Sequence, residues 1–164
     1  SESGDLVLKT KAYSGHDEKE LLAEFKTMVE KLDASTLRFC AHNGKEFDYP
    51  YLCRRLLVNG LGIPPALNLM GKKPWDIQHL DTLEMWKFGD YKHYTSLDLL
   101  AAIFSIPSSK VDMDGSQVNA VYHLDHNLVK IRDYCLRDIV VLSQLFLKLK
   151  AITLNKEFTV IGNE

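Results

Sequence analysis

Two short acidic motifs hold the residues of this sequence that could do chemistry. The first is the segment HNGKEFD at His42–Asp48, in which a carboxylate follows a turn and opens a helical pattern. The second is Tyr134-x-x-x-Asp138, inside the longest helical pattern of the chain. Carboxylate oxygens are the ligands that hard divalent cations such as Mg²⁺ prefer in proteins. Asp48 and Asp138 are therefore candidates either for binding a cation or for pairing with a neighbouring base.

Asp48 lies at the junction of a predicted strand, Leu37–Ala41, and a predicted helix from about Asp48 to Val58. The loops and helix starts that follow strands are where α/β folds build their sites. The alternative is a helix cap, because Pro50 fits a first helical turn. For Asp48 taken alone, the cap is the favoured interpretation.

Asp138 lies on the shoulder of a predicted apolar stripe along the last helix. At 100° per residue the stripe comprises Leu128, Ile131, Cys135, Ile139, Leu142, Phe146 and Leu149, and Asp138 is roughly 60° from its centre. Tyr134 is four residues earlier, so the phenol and the carboxylate share a face. A carboxylate in this position must be paired or must bind a cation, and pairing with Arg137 or another base is the simpler alternative. Tyr-x-x-x-Asp occurs three times in the chain, but only this copy lies within a helix interior.

The elements that must position these motifs alternate between strand and helix patterns. Strands are predicted at Leu6–Tyr13, Leu37–Ala41 and Ile77–Leu80. Capping signals at Asp17, Asp81 and Ser96 open helices, and further helices are predicted from about Gln117 to Tyr122 and from about Leu128 to Lys150. This alternation predicts an α/β layered domain.

Composition limits the class of protein. The 164 residues form one predicted domain, 1–164, with 46% hydrophobic and 26% charged residues, which excludes a disordered tail, a fibre and a coiled coil. No apolar run of 18 residues and no signal-peptide pattern are present, so we expect no membrane partner. Three widely spaced cysteines, Cys40, Cys53 and Cys135, fit neither a disulfide framework nor a zinc site and predict a reducing, cytoplasmic location.

Nucleic-acid contact would need local patches, because the net charge of −2 gives no overall attraction to a polyanion. Two loop regions combine cations with aromatic rings, as single-strand grooves do. Their residues are Lys72, Lys73 and Trp75 in one and Lys87, Phe88, Tyr91, Lys92, His93 and Tyr94 in the other. Solvated loops anchored by aromatic side chains explain the composition equally well. His42 could touch a phosphate, and a structural strand-end histidine is an equal alternative.

Taken together, the motifs resemble those of a known enzyme superfamily. Asn43-x-x-x-Phe47-Asp48, which occurs once, resembles the second motif of the DEDD (DnaQ-like) 3′–5′ exonucleases, and Tyr134-x-x-x-Asp138 resembles their third motif in its tyrosine variant. The stretches GKKPW, HLDT and WKFGDY are similar to one bacterial branch, the predicted 3′–5′ exonucleases related to the proofreading domain of family B DNA polymerases. The resemblance covers roughly Lys11 to Leu149 and is specific as a set.

The resemblance implies a ribonuclease H-like fold, with a mixed sheet flanked by helices, and hydrolysis at the 3′ end of single-stranded nucleic acid. It also implies two Mg²⁺ or Mn²⁺ ions about 4 Å apart that clamp the scissile phosphate. By this mapping Asp48 and Asp138 are metal ligands and Tyr134 orients the attacking water. Phe47 would wall the terminal base, and Asn43 would brace the turn.

The chain departs from the superfamily at the first motif, an Asp-x-Glu on the central strand that supplies two of four carboxylates. No Asp-x-Glu precedes Asn43, and the strand Leu6–Tyr13 matches the third strand of the family. We therefore expect the chain to begin after this motif and the fold to lack its first two strands here, around Leu37–Ala41. A fragment of a longer protein is the favoured explanation over a degenerate family member, because a complete protein without the central strand would expose an open, aggregation-prone edge. With two carboxylates only, we expect this chain by itself to be inactive or nearly so.

Three hypotheses follow. The chain is the catalytic domain of a metal-dependent 3′–5′ exonuclease, or it is a non-catalytic nucleic-acid-binding or scaffold module that keeps the fold. In the third, Asp48 and Asp138 are merely caps and ion pairs. The first predicts that Asp48 and Asp138 converge, with Tyr134 on the same rim. Substrate type, pathway, oligomeric state and protein partners do not follow from the sequence.

Overall fold

The computed structural model describes residues 6–90, 92–110, 112–152 and 159–163. These residues form two compact units, one comprising Gly15–Gly89 and the other joining residues 6–14 to residues 90–163. In chain order the elements are β1 (Val7–Lys11), α1 (Glu18–Glu30), β2 (Cys40–Ala41), α2 (Asp48–Val58), β3 (Leu80–Asp81), α3 (Thr82–Lys87), α4 (Leu97–Ile103), α5 (Val118–His123), α6 (Leu128–Leu149) and β4 (Thr159–Asn163). Short 3-10 turns lie at Pro65–Leu67, Pro74–Asp76 and Gly115–Gln117. The predicted α/β class is confirmed.

Each unit contains one pair of parallel strands. In the Gly15–Gly89 unit β2 pairs with β3, with Cys40 opposite Leu80 and Ala41 opposite Asp81. In the other unit β1 pairs with β4, from Val7 opposite Thr159 to Lys11 opposite Asn163. The sequence patterns did not predict β4. They also placed too much strand before β2, where the Arg38 guanidinium takes the carbonyls of Ser35 and Leu37 as acceptors instead.

The core of the Gly15–Gly89 unit is formed by side chains from α1, α2, α3 and the 3-10 turn Pro65–Leu67. Its buried residues are Leu22, Val29, Leu56, Leu67 and Leu83. The carboxylate of Asp17 caps α1 by accepting from the Glu20 N–H at 3.0 Å, as the capping signal predicts. A polar link joins α1 to α2, because Arg55 binds Glu18 through two nitrogens. Arg55 and Asn59 together lower the pKa of Glu18 to about 2. The predicted bounds of α2 are confirmed.

The core of the other unit comprises Leu100, Ala101, Val121, Val141 and Leu145. The sequence prediction chose the wrong face of α6, because Cys135 and Ile139 of the predicted stripe are exposed. The apolar residues of this helix cover a wide arc of its surface, so their periodicity does not fix which part of that arc packs inward. Tyr134 and Asp138 each precede a buried residue, Val141 or Leu145, by seven positions, a rotation of about 20°. Both therefore lie on the face of α6 that packs inward.

Among the described residues, no helix is both long enough and apolar enough to cross a membrane.

Candidate active site

The turn after β2 is built by backbone hydrogen bonds and one left-handed residue. Asn43 has φ 63°, a conformation that asparagine tolerates better than most residues do. Its carbonyl accepts from the Phe47 N–H at 3.1 Å, and the Gly44 carbonyl accepts from the Tyr49 N–H at 2.9 Å. The chain thus winds directly from the turn into α2. Both Phe47 and Asp48 are presented at the start of that helix.

Asp81 fastens this turn to the neighbouring strand. Its buried carboxylate, 3% exposed, accepts from the backbone N–H of Asn43 at 2.9 Å and of Lys45 at 3.1 Å. It also caps α3 by accepting from the Leu83 N–H at 3.0 Å. The sequence predicted only the cap. The second role arises because β2 and β3 are parallel neighbours, so the residue that ends β3 lies beside the turn that follows β2.

Asp48 does not cap α2. Phe47 is the residue at the cap position, without a side-chain cap bond, and Asp48 is the first helical residue. Asp48 is exposed as a residue, but partial burial of its carboxyl group raises the pKa. The negative charge of Asp81 raises the pKa of Asp48 further, while His42 opposes the shift. The cap alternative is therefore wrong, and the ionised form of Asp48 is disfavoured by its surroundings.

Gly44 permits the close packing of this turn. A Cβ atom at Gly44 would lie 2.3 Å from the Cβ of Ala41 and 3.4 Å from Oδ2 of Asp48. No side chain fits at the first of these distances, so the approach of the turn to β2 requires glycine. Sequence reasoning treated Gly44 as part of a generic turn. Its signal is a glycine three residues after the strand end and four before the acidic residue.

His42 is held against the neighbouring strand end. Its Nδ1 lies 2.9 Å from the hydroxyl oxygen of Thr82, and that hydroxyl also donates to the Ala41 carbonyl at 3.3 Å. A hydroxyl has one proton, so Nδ1 of His42 acts as the donor in this pair. Of the two roles considered for His42, the structural one has observed contacts.

Phe47 and Tyr51 form an exposed aromatic pair on the first turns of α2. Their rings stack with centroids 5.9 Å apart and an interplanar angle of 12°. Phe47 is 64% and Tyr51 53% exposed, although rings of this size are usually buried. Sequence reasoning selected Phe47 but missed Tyr51, whose signal was the i, i+4 spacing. The pair offers a flat apolar surface next to Asp48.

Tyr134 and Asp138 lie on α6, in the other unit. The Tyr134 hydroxyl donates to the Asp138 carboxylate. Burial raises the pKa of the phenol most, and this hydrogen bond raises it further. Gly115 lies opposite, where a Cβ atom would be 3.6 Å from the Tyr134 oxygen. The i, i+4 spacing thus forms a hydrogen bond within one helix face, as expected for neighbours on a helix.

Arg137, the base next to Asp138 in sequence, pairs with other groups. The Arg137 guanidinium donates to the Ser109 carbonyl at 3.1 Å and pairs with Asp112. Lys110 pairs with Asp98, and the charges of Asp98, Asp114 and Asp138 together raise the pKa of Lys110. The expected alternative of an Arg137–Asp138 pair is therefore wrong.

The basic and aromatic residues predicted to contact a nucleic-acid strand lie in different environments. Lys73 lies over the ring of Trp75, 5.3 Å from its centroid, and Trp75 is 76% exposed. Lys72 instead lines a pocket with other residues of the same unit. Lys92 is exposed, with its backbone N–H bound to Asp90. Tyr91 lies outside the described residues.

The donors fit a hard divalent cation by type but not by number. The ionised form of the Asp48 carboxylate is disfavoured by partial burial and by the charge of Asp81, a cost that a bound cation would offset. Within the described ranges, however, no three His, Cys, Asp or Glu side chains group where they could hold a metal ion. Asp48 belongs to the Gly15–Gly89 unit and Asp138 to the other. Their convergence stays a prediction.

Comparison with known proteins supplies the class. Residues 3–159 match the model of a family described as a predicted 3′–5′ exonuclease related to the exonuclease domain of PolB. The match spans most of the 164 residues, so the chain belongs to this family of predicted exonuclease domains. No curated protein and no solved structure gives a significant match.

Proposed function

We propose that this chain is the catalytic domain of a metal-dependent 3′–5′ exonuclease that removes nucleotides from the 3′ end of single-stranded DNA. The observation that carries the proposal is the family match over residues 3–159. The stated relation to PolB favours DNA as the substrate and a ribonuclease H-like arrangement of the intact fold.

In this proposal Asp48 and Asp138 are the metal ligands that the chain supplies. Bound Mg²⁺ or Mn²⁺ would supply activation of water and stabilisation of charge on the attacking and leaving oxygens. Asp48 suits the role because the residue is exposed, and its ionised form is penalised by partial burial of the carboxyl group and by the charge of Asp81. Asp81 suits it less, because three backbone N–H groups already occupy its oxygens.

The terminal base would stack on the aromatic pair. Stacking on an aromatic face contributes roughly 1–3 kcal/mol per base and is tolerant of base identity. The rings of Phe47 and Tyr51 are already nearly parallel, with 12° between their planes, so the stacking surface is formed before the substrate arrives. Asn43 would act indirectly, since it shapes the turn that sets the position of Phe47 and Asp48.

Tyr134 would orient the attacking water through its hydroxyl. The phenol is held by Asp138 and stays protonated, because burial and the carboxylate both raise its pKa. A protonated phenol keeps an oxygen lone pair that can accept from water while its own proton is donated to Asp138. Lys72, Lys73, Trp75, Lys92 and Tyr91 remain proposed contacts for the strand.

We also propose that the 164 residues alone hydrolyse little. Two ions need more ligands than Asp48 and Asp138 provide, and the described residues form no three-ligand group. Full activity would need the Asp-x-Glu carboxylates of the first family motif. Because binding stabilises a fold only in proportion to affinity, metal should raise the melting temperature of this chain little.

The test is degradation of a 5′-labelled single-stranded oligonucleotide with Mg²⁺ or Mn²⁺. It compares the 164-residue chain with the longest product of its gene, each with and without EDTA. The expected result is a ladder of 3′-shortened products from the longer protein, abolished by EDTA and by Asp138→Asn. Tyr134→Phe should slow the reaction but leave metal binding largely intact. Asp125→Asn removes the same charge from an exposed side chain and should have no effect.

Two results would count against the proposed function. Activity that survives both EDTA and Asp138→Asn would exclude the metal mechanism. A longer protein that contains the first motif and is inert, but binds the oligonucleotide, would favour the binding-module alternative.

A further inference from the structure

A pocket of about 250 Å³ lies in the Gly15–Gly89 unit. Its walls come from three segments: Ala34, Ser35, Leu37 and Arg38 before β2; Pro65, Ala66, Leu69 and Lys72; and Asp76, Gln78 and His79 before β3. Because β2 and β3 are parallel, both strands leave this region at their amino ends. Asp48 follows the carboxyl end of β2 instead. The pocket is therefore a separate feature from the candidate active site.

His79 forms a fixed, neutral part of the pocket wall. Its Nδ1 accepts from the Phe39 N–H at 3.4 Å, so its Nε2 carries the proton that is donated to the Ala66 carbonyl at 2.8 Å. The rings of Phe39 and Tyr49 pack against it edge to face. Burial lowers the pKa of His79, and the nearby charges of Lys72 and Arg38 lower it further. His79 thus shapes the pocket without adding charge.

Arg38 and Lys72 bring two positive charges to the pocket. Arg38 Nη1 donates to the carbonyls of Ser35 at 3.0 Å and Leu37 at 2.8 Å, which fixes the plane of the guanidinium and leaves Nε and Nη2 for a ligand. In the part of the chain that the structure describes, neither cation lies in an ion pair. Asp76 also lines the pocket and offsets one of the two charges.

We propose that this pocket binds a phosphate group, carried either by a mononucleotide or by the backbone of a nucleic-acid strand. A guanidinium with a fixed plane matches two phosphate oxygens at once, and a lysine adds a mobile point charge. The Gln78 amide adds hydrogen-bonding capacity and Leu37 an apolar wall. The volume is below the usual range of about 300–1,000 Å³ for small-molecule sites, which fits one nucleotide unit. The proposal does not depend on exonuclease activity.

The test measures binding in the presence of EDTA. Metal-dependent hydrolysis then cannot occur, so the result does not depend on the proposed active site at Asp48 and Asp138. Calorimetric titrations use inorganic phosphate, a deoxynucleoside 5′-monophosphate and a single-stranded oligonucleotide. Lys72→Gln should weaken phosphate binding about tenfold, as loss of one charge-assisted contact does. The matched control Lys19→Gln removes an exposed lysine of the same unit that does not line the pocket, and should change it less than twofold. Arg38→Lys keeps the charge but loses the planar fork, and should also weaken binding.

The three probes distinguish the source of the phosphate. If the mononucleotide binds more tightly than phosphate and its affinity falls in Lys72→Gln, the ligand is a nucleotide. If only the oligonucleotide shows this loss, and the salt dependence of its affinity falls by about 0.7 for the lost contact, the ligand is the backbone. Equal affinities of wild type, Lys72→Gln and Lys19→Gln, or no binding of any probe, would overturn the proposal. An inactive exonuclease that still shows the Lys72→Gln loss would leave it standing.

Discussion

Asp81→Asn should destabilise the protein by removing the fastening of the turn after β2. The carboxylate accepts three backbone N–H groups while only 3% exposed. In the best orientation of the new amide, its oxygen keeps the bonds from Asn43 and Leu83, which both reach Oδ1. Its NH₂ group then faces the Lys45 N–H, donor against donor. The reverse orientation sacrifices two bonds instead of one.

The magnitude follows from one lost charge-assisted bond and one N–H left without an acceptor. Together these cost about 2–4 kcal/mol. In a domain of 150–250 residues, 1 kcal/mol shifts the melting temperature by roughly 2–4 °C. The expected fall in melting temperature is therefore about 4–16 °C, and the loss of hydrogen-exchange protection should be concentrated at the Lys45 amide.

Circular dichroism melts and amide hydrogen exchange provide the assay. Asp125→Asn is the matched control, because it removes the same charge from an exposed side chain and should cost less than about 0.5 kcal/mol. The Lys45 amide should lose exchange protection in Asp81→Asn only. If the two variants melted within 2 °C of each other, by the same criterion of roughly 0.5 kcal/mol, the role assigned to Asp81 would be refuted.

Two further changes test the same turn. Asp48→Asn should raise the melting temperature at pH 7, because the raised pKa of Asp48 means that its ionised form destabilises the fold; this penalty is absent below the unfolded pKa of about 3.9, grows up to the folded pKa and is constant above it. Melts of wild type and Asp48→Asn at pH 3 and pH 7 measure the difference. A melting temperature of Asp48→Asn below that of wild type at pH 7 would contradict the electrostatic argument. Gly44→Ala should cost about 1–3 kcal/mol, because its Cβ would lie 2.3 Å from that of Ala41. Gly62→Ala, which meets nothing within 4 Å, is its control in urea unfolding, and equal midpoints would show that the turn can relax.

Local signals predicted the helices well. The caps at Asp17 and Ser96 and the bounds of α2 follow from residues within a few positions of each other. Such short-range hydrogen bonds form wherever the chain is helical, so they can be recognised without knowledge of the tertiary structure. The family resemblance depended on motifs of the same kind, which is why it could also be stated from sequence.

Features that depend on distant residues were missed or misplaced. The link from Asp81 to Asn43 spans 38 positions, and the pairing of β1 with β4 spans about 150. The inward face of α6 depends on what packs against it, since its apolar residues cover a wide arc of the helix. Periodicity describes one element at a time, so it cannot select among partners that only the folded chain brings together.

Two neighbouring carboxylates in this turn show how surroundings separate a structural from a functional role. Asp81 is buried and satisfied by three N–H groups, so its charge stabilises the turn. Asp48 begins a helix without capping it, and partial burial, together with the charge of Asp81, raises its pKa and makes its ionisation unfavourable. A carboxylate held at such a cost contributes more to binding a cation than to stabilising the fold, since a bound cation would remove the repulsion. Of the two, Asp48 is therefore the residue that the proposed ligand role fits better.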